Sequence, residues 1–273
     1  MIDMYSKDVL ITGSSGFIGS NLLRYNKNLN FYCLTKKNID ENFVLFNKEN
    51  IEIERLKDKE FVLLHLATFF SKKNNENDLV KGGNIEYGKK VIEKTGNLNI
   101  NKIIFTNSMY KFYKEDRIKK LEYTKSKNLL NEYFQNFCRD SGVHYEEILL
   151  DNTYGINDKR KKVLPEIVSA VLNNKGNPVK NKNANINLVH IEDVISRLKI
   201  ALSENTSDKS AFISDKSVNV NSIFLFLDSK IKKNNSVNLE YTENNYENKN
   251  FRIDRKGLNL KSLENGLESL LKL

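Results

Sequence analysis

The chain has 273 residues, 39% of them hydrophobic and 29% charged, with a formal net charge of +9. That length and apolar content suit one large α/β domain with a small appended lobe. No stretch of 18 apolar residues occurs, which excludes a membrane-spanning helix, and the first apolar run, Val9-Leu10-Ile11, leads straight into glycines as a strand does, not as a secretory segment does.

Cys33 and Cys138 sit within apolar runs and read as small buried hydrophobes of a reducing, cytoplasmic compartment. His65, His144 and His190 have no ligand-like spacing, so no metal site is expected. The lysines are dispersed among asparagines, with one tight run at Lys159-Arg160-Lys161-Lys162. A basic stripe with interleaved aromatics, the usual footprint of a nucleic-acid binder, is missing. The positive field suits phosphate-bearing small ligands instead.

In chain order, Val9–Thr12, Phe31–Thr35, Phe43–Phe46, Phe61–Ala67, Lys102–Asn107 and His144–Leu150 read as strands, most with the continuous apolar character of a sheet covered on both faces. Between them Ile85, Gly88, Val91 and Ile92, and then Leu129, Leu130, Tyr133, Phe134 and Phe137, follow the helical repeat. This alternation predicts a doubly wound parallel sheet of the Rossmann type. Beyond residue 150 the pattern predicts a helix entered through Pro165, an Asn/Lys-rich loop, a strand-like piece Ile186–Ile191, and helices near 192–202, 221–231 and 263–271. Residues 1–150 are read as the dinucleotide-binding domain and 151–273 as mainly a substrate-binding lobe, with 186–213 returning to the first domain.

Three local patterns carry chemistry. Thr12-Gly13-Ser14-Ser15-Gly16-Phe17-Ile18-Gly19 follows the first strand and opens a helix. Gly13 permits the tight turn, Gly16 lets the backbone approach a pyrophosphate, and Gly19 lets the helix pack on the sheet. The second strand then runs into Thr35-Lys36-Lys37 with no carboxylate at its end. Cations in that place favour NADPH over NADH, although a solvated turn has the same composition. Finally, Tyr123 and Lys127 stand four apart on one helical face, after a buried strand that ends in Thr106-Asn107-Ser108. An ammonium beside a phenol favours the phenolate and brings its proton into play near neutral pH.

Taken together with His65-Leu66-Ala67-Thr68, Gly83-Asn84, Asn152-Thr153-Tyr154-Gly155 and Val189–Val194, these segments occur in the order seen in extended short-chain dehydrogenases/reductases, and the chain resembles that family over nearly its whole length. The resemblance implies that Ser108, Tyr123 and Lys127 form the Ser-Tyr-Lys group. It implies that Leu66, Ala67 and Thr68 lie along the cofactor, that Asn152 meets a sugar diphosphate, and that the later lobe holds the nucleotide. It also implies a homodimer through helical contact, to which Leu129–Phe137 would contribute. Within the family, dehydratases carry an Asp-Glu pair where this chain has Ser108-Met109-Tyr110, and galactose-type epimerases carry the second-strand Asp that is absent here. The short spacing of fifteen positions between Ser108 and Tyr123, and the stretch Asp151–Lys162, resemble the CDP-abequose and CDP-paratose synthases. What this resemblance implies is reduction, by NADPH, of the 4-keto group of a CDP-linked deoxyhexulose for O-antigen. Substrate contacts are expected from Ser108, Tyr110, Asn152 and Arg160. Tyr110 or Tyr113 could contact sugar hydroxyls, with packing the commoner role for a tyrosine, and Lys159–Lys162 could reach the substrate diphosphate or equally be a solvated loop. Epimerisation, reduction of a dTDP- or GDP-linked sugar, and NADPH sensing without turnover stay open; His65 is read as structural.

Overall fold

A computed structural model of the protein describes residues 8–26, 29–34, 56–204, 209–212, 216–235, 237–244, 246–247 and 260–271. The expected strand Phe43–Phe46 and Thr35 and Lys36, expected to select the cofactor, lie outside them. The elements run β1 (Asp8–Thr12), α1 (Phe17–Tyr25), β2 (Asn30–Leu34), β3 (Glu60–His65), α2 (Asn77–Lys81), a π-turn (Gly82–Glu86), α3 (Tyr87–Thr95) and β4 (Asn99–Ser108). There follow α4 (Asp116–Lys119), α5 (Glu122–Ser141), β5 (His144–Leu150), β6 (Asn152–Tyr154), α6 (Val163–Leu172), β7 (Asn185–Ile186), β8 (Leu188–His190) and α7 (Ile191–Ser203). The remainder is β9 (Lys209–Phe212), β10 (Ser217–Asn219), α8 (Val220–Lys232), β11 (Tyr241–Thr242) and α9 (Leu263–Ser269).

Six strands form a parallel sheet in the order β2-β1-β3-β4-β5-β9. Strand side chains alternate in direction, so successive residues feed opposite cores. Val9, Ile11, Val62, Leu64, Ile104 and Ile148 meet α1 and α7 on one face. Leu10, Phe61, Leu63, Ile103 and Phe105 meet α3 and α5 on the other. This two-sided burial is what the unbroken apolar strands of the sequence require, and the fold is a Rossmann-type doubly wound α/β structure. After β1 the chain goes to β2 on one side and then crosses to β3 on the other, so a crevice opens beyond the carboxyl ends of β1 and β3.

At Asp151 the chain leaves the sheet. β6 pairs in parallel with β8 in a separate two-stranded ladder, while β11-β10-β7 make a small antiparallel sheet. With α6, α8 and α9 these enclose a third apolar cluster around Tyr154, Ile167, Leu188, Ile223, Leu227 and Leu267. The expected strand Ile186–Ile191 is therefore two short strands in different sheets. The break falls at Asn187, whose buried side chain accepts from Ser217 Oγ at 2.6 Å and donates to Asn244, while its carbonyl accepts from Asn152.

A buried ion cluster fastens α7 to the sheet. Glu146 of β5 bonds Lys102 of β4 at 2.6 Å and Arg197 of α7 at 2.5 Å, all three essentially inaccessible to solvent. Lys102 also donates to the carbonyls of Ala201 and Glu204, the free acceptors at the carboxyl end of α7. Glu146→Ala would leave two cations buried without their carboxylate. We expect it to cost about 3–5 kcal/mol of stability, read from urea unfolding; a loss below 1 kcal/mol would contradict this role.

Candidate active site

The glycine-rich turn lies at the crevice because its backbone contacts the turn after β3. Gly13 has φ +72°, and a Cβ there would stand 2.7 Å from the Ala67 nitrogen and 2.8 Å from the Leu66 carbonyl carbon. A Cβ on Gly19 would come 2.3 Å from the Gly13 oxygen, so α1 can start this close only with glycine at that position. α1 begins with no side-chain cap and no acidic residue in its first turn. Its terminal N–H groups and dipole are thus available to an anion. The cradle fits a dinucleotide pyrophosphate.

Thr12 couples β1 to β3. Its Oγ1 accepts from Ala67 N–H at 3.1 Å and meets His65 Nδ1 at 3.1 Å. The His65 ring is packed among Tyr87, Phe105 and Phe134. Burial first, and the nearby Lys127 charge second, lower the imidazole to about 3. Asn84 in the π-turn then shapes the next residues. It accepts from Phe69 N–H at 2.7 Å and Thr68 Oγ1 at 3.1 Å and donates to Ser126 Oγ at 2.9 Å, tying this loop to α5.

Ser108 ends β4. Its Oγ accepts from Tyr110 N–H at 3.2 Å, and its own N–H donates to Asn107 Oδ1 at 2.8 Å. Asn107 donates in turn to the buried Glu147, which also pairs with Lys111 at 2.6 Å. Tyr123 lies in the first turn of α5. Burial raises its phenol, while hydrogen bonds with Ser108 and Thr68 and the Arg160 charge pull it back down. Arg160, a cation that sequence spacing did not point to, thus acts on Tyr123. Lys127 is buried with its Nζ 4.1 Å over the Phe105 ring, and desolvation, offset in part by Glu147, lowers it to about 7. It is therefore only partly charged at neutral pH.

The opposite wall comes from the segment after β5. Tyr110 donates to Asn152 Oδ1 at 3.3 Å, and Asn152 donates to the Asn187 carbonyl at 3.2 Å. Arg160 forms a fork with Asp158 at 2.6 and 2.7 Å, donates to the Thr153 carbonyl at 2.7 Å, and stacks 4.2 Å over the Phe17 ring of the glycine turn. Lys162 has no ion pair among the described residues; burial first, then Arg160, lowers it to about 8.

These walls enclose one cleft of about 440 Å³. Of the residues singled out in the sequence, Gly13, Ser15, Gly16, Phe17, Ile18, Gly19, Leu66, Ala67, Thr68, Ser108, Tyr110, Tyr123, Lys127, Asn152 and Arg160 all line it. The cleft also contains Lys162, from the run expected either to reach a diphosphate or to be a solvated loop, together with Phe70 and Asp151, which sequence reasoning did not assign to a site. Phe70 packs edge-on to Tyr123 with centroids 4.8 Å apart, a contact whose only sequence signal is an aromatic pair just after His65-Leu66-Ala67-Thr68.

The pH behaviour of His65 follows from its burial. The unfolded chain takes up a proton below about pH 6.5 and the folded chain only near 3, so this group's contribution to stability falls as pH drops through that window. We expect the His65 ring proton resonances to stay untitrated down to about pH 4. A transition near 6.5 would contradict the buried, neutral assignment.

The sequence profile of the NAD dependent epimerase/dehydratase family matches residues 9–214. CDP-abequose synthase of Yersinia pseudotuberculosis is 26% identical over 209 residues, covering 72% of this chain and 74% of that protein. Among solved structures, UDP-N-acetylglucosamine 4-epimerase from Methanobrevibacter ruminantium M1, in complex with UDP-N-acetylmuramic acid, superposes with a TM-score of 0.76 at 20% identity, over 98% of this chain and 97% of that one. Bordetella bronchiseptica WbmF in complex with NADH superposes at 0.74 with 17% identity, over 98% and 92%. A match across three quarters of the chain joins the glycine cradle and the Tyr123 cleft in one assignment: the protein belongs to the NAD dependent epimerase/dehydratase family and is an NAD(P)-dependent enzyme.

Proposed function

We propose that the protein reduces the 4-keto group of a nucleotide-linked deoxyhexulose, CDP-linked by preference, with NADPH as reductant. The observation that carries this reading is the meeting of the Ser108 and Tyr123 hydroxyls in the same cleft as the Gly13–Gly19 cradle. The similarity to CDP-abequose synthase supports the substrate, and the sequence Thr35-Lys36-Lys37 supports NADPH.

The cradle, Leu66, Ala67, Thr68 and Lys127 would hold the dinucleotide. Bound there, the reduced nicotinamide supplies hydride to the sugar C4. As the C4–O π pair moves onto oxygen, Tyr123 passes its phenolic proton to that oxygen, and solvent later restores it. Ser108 Oγ hydrogen-bonds the same oxygen and holds it against Tyr123. Arg160, through its charge, eases release of the phenolic proton. Asn152 and Tyr110 would orient the sugar end, and Arg160 with Lys162 would face the diphosphate. No carboxylate follows β4; Met109 there is buried against Leu149. That arrangement favours plain ketone reduction over elimination.

The test offers NADPH with CDP-, dTDP-, UDP- and GDP-linked 4-keto-6-deoxy sugars and follows cofactor oxidation. We expect turnover with one of them, fastest with a CDP sugar, and a loss of about 10²–10⁴-fold in kcat for Tyr123→Phe. No oxidation with any of them, or an undiminished Tyr123→Phe rate, would overturn the reading. Sugar conversion without net NADPH consumption would assign epimerisation instead.

A further inference from the structure

Among the described residues, the cleft contains one carboxylate with no ion pair. Asp151, the residue at which the chain leaves the sheet, is 7% exposed and lines the cleft beside Asn152. Tyr113 donates to its Oδ1 at 3.2 Å, and Tyr246 donates to its Oδ2. Tyr246 is held there by contacts with the segment after β4. Its segment bridges Tyr113, Glu247 N–H donates to the Phe112 carbonyl at 2.8 Å, and Lys119 pairs with Glu247. Rings continue from Tyr246 to Tyr113 at 5.3 Å, to Tyr110 at 5.2 Å and to Tyr123 at 6.0 Å, so Asp151 stands at the far end of an aromatic wall that begins at the proton donor.

Building on the nucleotide-sugar reading, we propose that Asp151 is a sugar-recognition residue whose carboxylate accepts a hydrogen bond from a ring hydroxyl of the hexose and thereby fixes which end of the substrate faces Tyr123. A carboxylate offers about four acceptor positions. The two phenols and the Asn152 backbone N–H occupy part of that capacity. Burial holds Tyr113 and Tyr246 well above the ordinary phenol range, so both remain donors and cannot compete as anions. Burial likewise raises Asp151, to about 7, against the pull of these hydrogen bonds. Above that pH the group is an anion, and it gains from one further O–H donor.

The chemistry of that donor follows from the charge layout. Phosphate is repelled by Asp151 and attracted to Arg160 and Lys162, which line the same cleft. A ligand with an anionic half and a hydroxyl-bearing neutral half therefore fits in one direction only. The two halves of a nucleotide sugar meet that description, its diphosphate toward the cations and its hexose toward Asp151.

The test compares a nucleoside diphosphate with its own sugar conjugate by titration calorimetry at pH 8, on the full chain saturated with NADP⁺. The probes are CDP with CDP-glucose, UDP with UDP-glucose, and dTDP with dTDP-glucose. For the pair that binds, we expect the sugar to add affinity in the unaltered protein. Asp151→Asn, which keeps the side chain's shape, and Asp151→Ala should lower that added affinity by about tenfold, since a hydrogen bond to a charged group is worth that much, while the bare nucleotide, relieved of the repulsion, binds no more weakly than before. An unchanged sugar increment in both variants would overturn the role of Asp151 and leave the nucleotide-sugar reading standing. Equal losses for nucleotide and conjugate would mark a structural residue and overturn it too. Binding of none of the probes would overturn the nucleotide-sugar reading, and this inference with it.

Discussion

The contact between Gly13 and the Leu66–Ala67 backbone sets the geometry of everything at the crevice. β1 and β3 are neighbours whose carboxyl ends diverge into two turns, one toward α1 and one toward Thr68. The left-handed φ of Gly13 and the lack of a side chain let these turns touch. Thr12 Oγ1 then binds both the Ala67 N–H and the His65 ring, so one hydroxyl holds the two strand ends in register. The cradle and the cofactor-facing turn are in this sense one rigid body, packed on both faces of the sheet. A methyl group at Gly13 or Gly19 would push apart backbone that has no room to move.

The other half of the site is assembled across that rigid edge by side chains from the later lobe. Arg160 spans the two halves, gripping Asp158 and Thr153 while stacking on Phe17. Its charge reaches Tyr123, so the residue that spans the cleft also acts on that phenol. The polarity of the site follows from these placements. Cations from residues 160–162 stand on one wall, Asp151 with its tyrosines on another, and Ser108 with Tyr123 where the reacting carbonyl would lie.

What the sequence made legible was local. Strand, glycine turn and helix follow one another within a dozen residues, and Tyr123 and Lys127 share a helical face by spacing alone. The missed features are contacts between distant segments. Tyr246 meets Asp151 across 95 positions, and Asn187 joins Asn152, Ser217 and Asn244. Nothing in the alternation of Ile186–Ile191 signals that its polar residue is a hinge between two sheets. The Arg160 charge on Tyr123 was not legible in the sequence for a similar reason. Spacing sets Lys127 on the same helical face as Tyr123, whereas Arg160 stands thirty-seven positions away in sequence and is brought near only by the fold.

The central claim is that the cleft joins a dinucleotide cradle to a proton donor in order to reduce a sugar carbonyl. Isotope transfer tests it most directly. With NADPH carrying deuterium at both C4 positions of the nicotinamide and the 4-keto sugar that is turned over, mass spectrometry of the product should find one deuterium at sugar C4, with one NADPH consumed per product. A product without deuterium, or one formed while NADPH is fully recovered, would contradict the account.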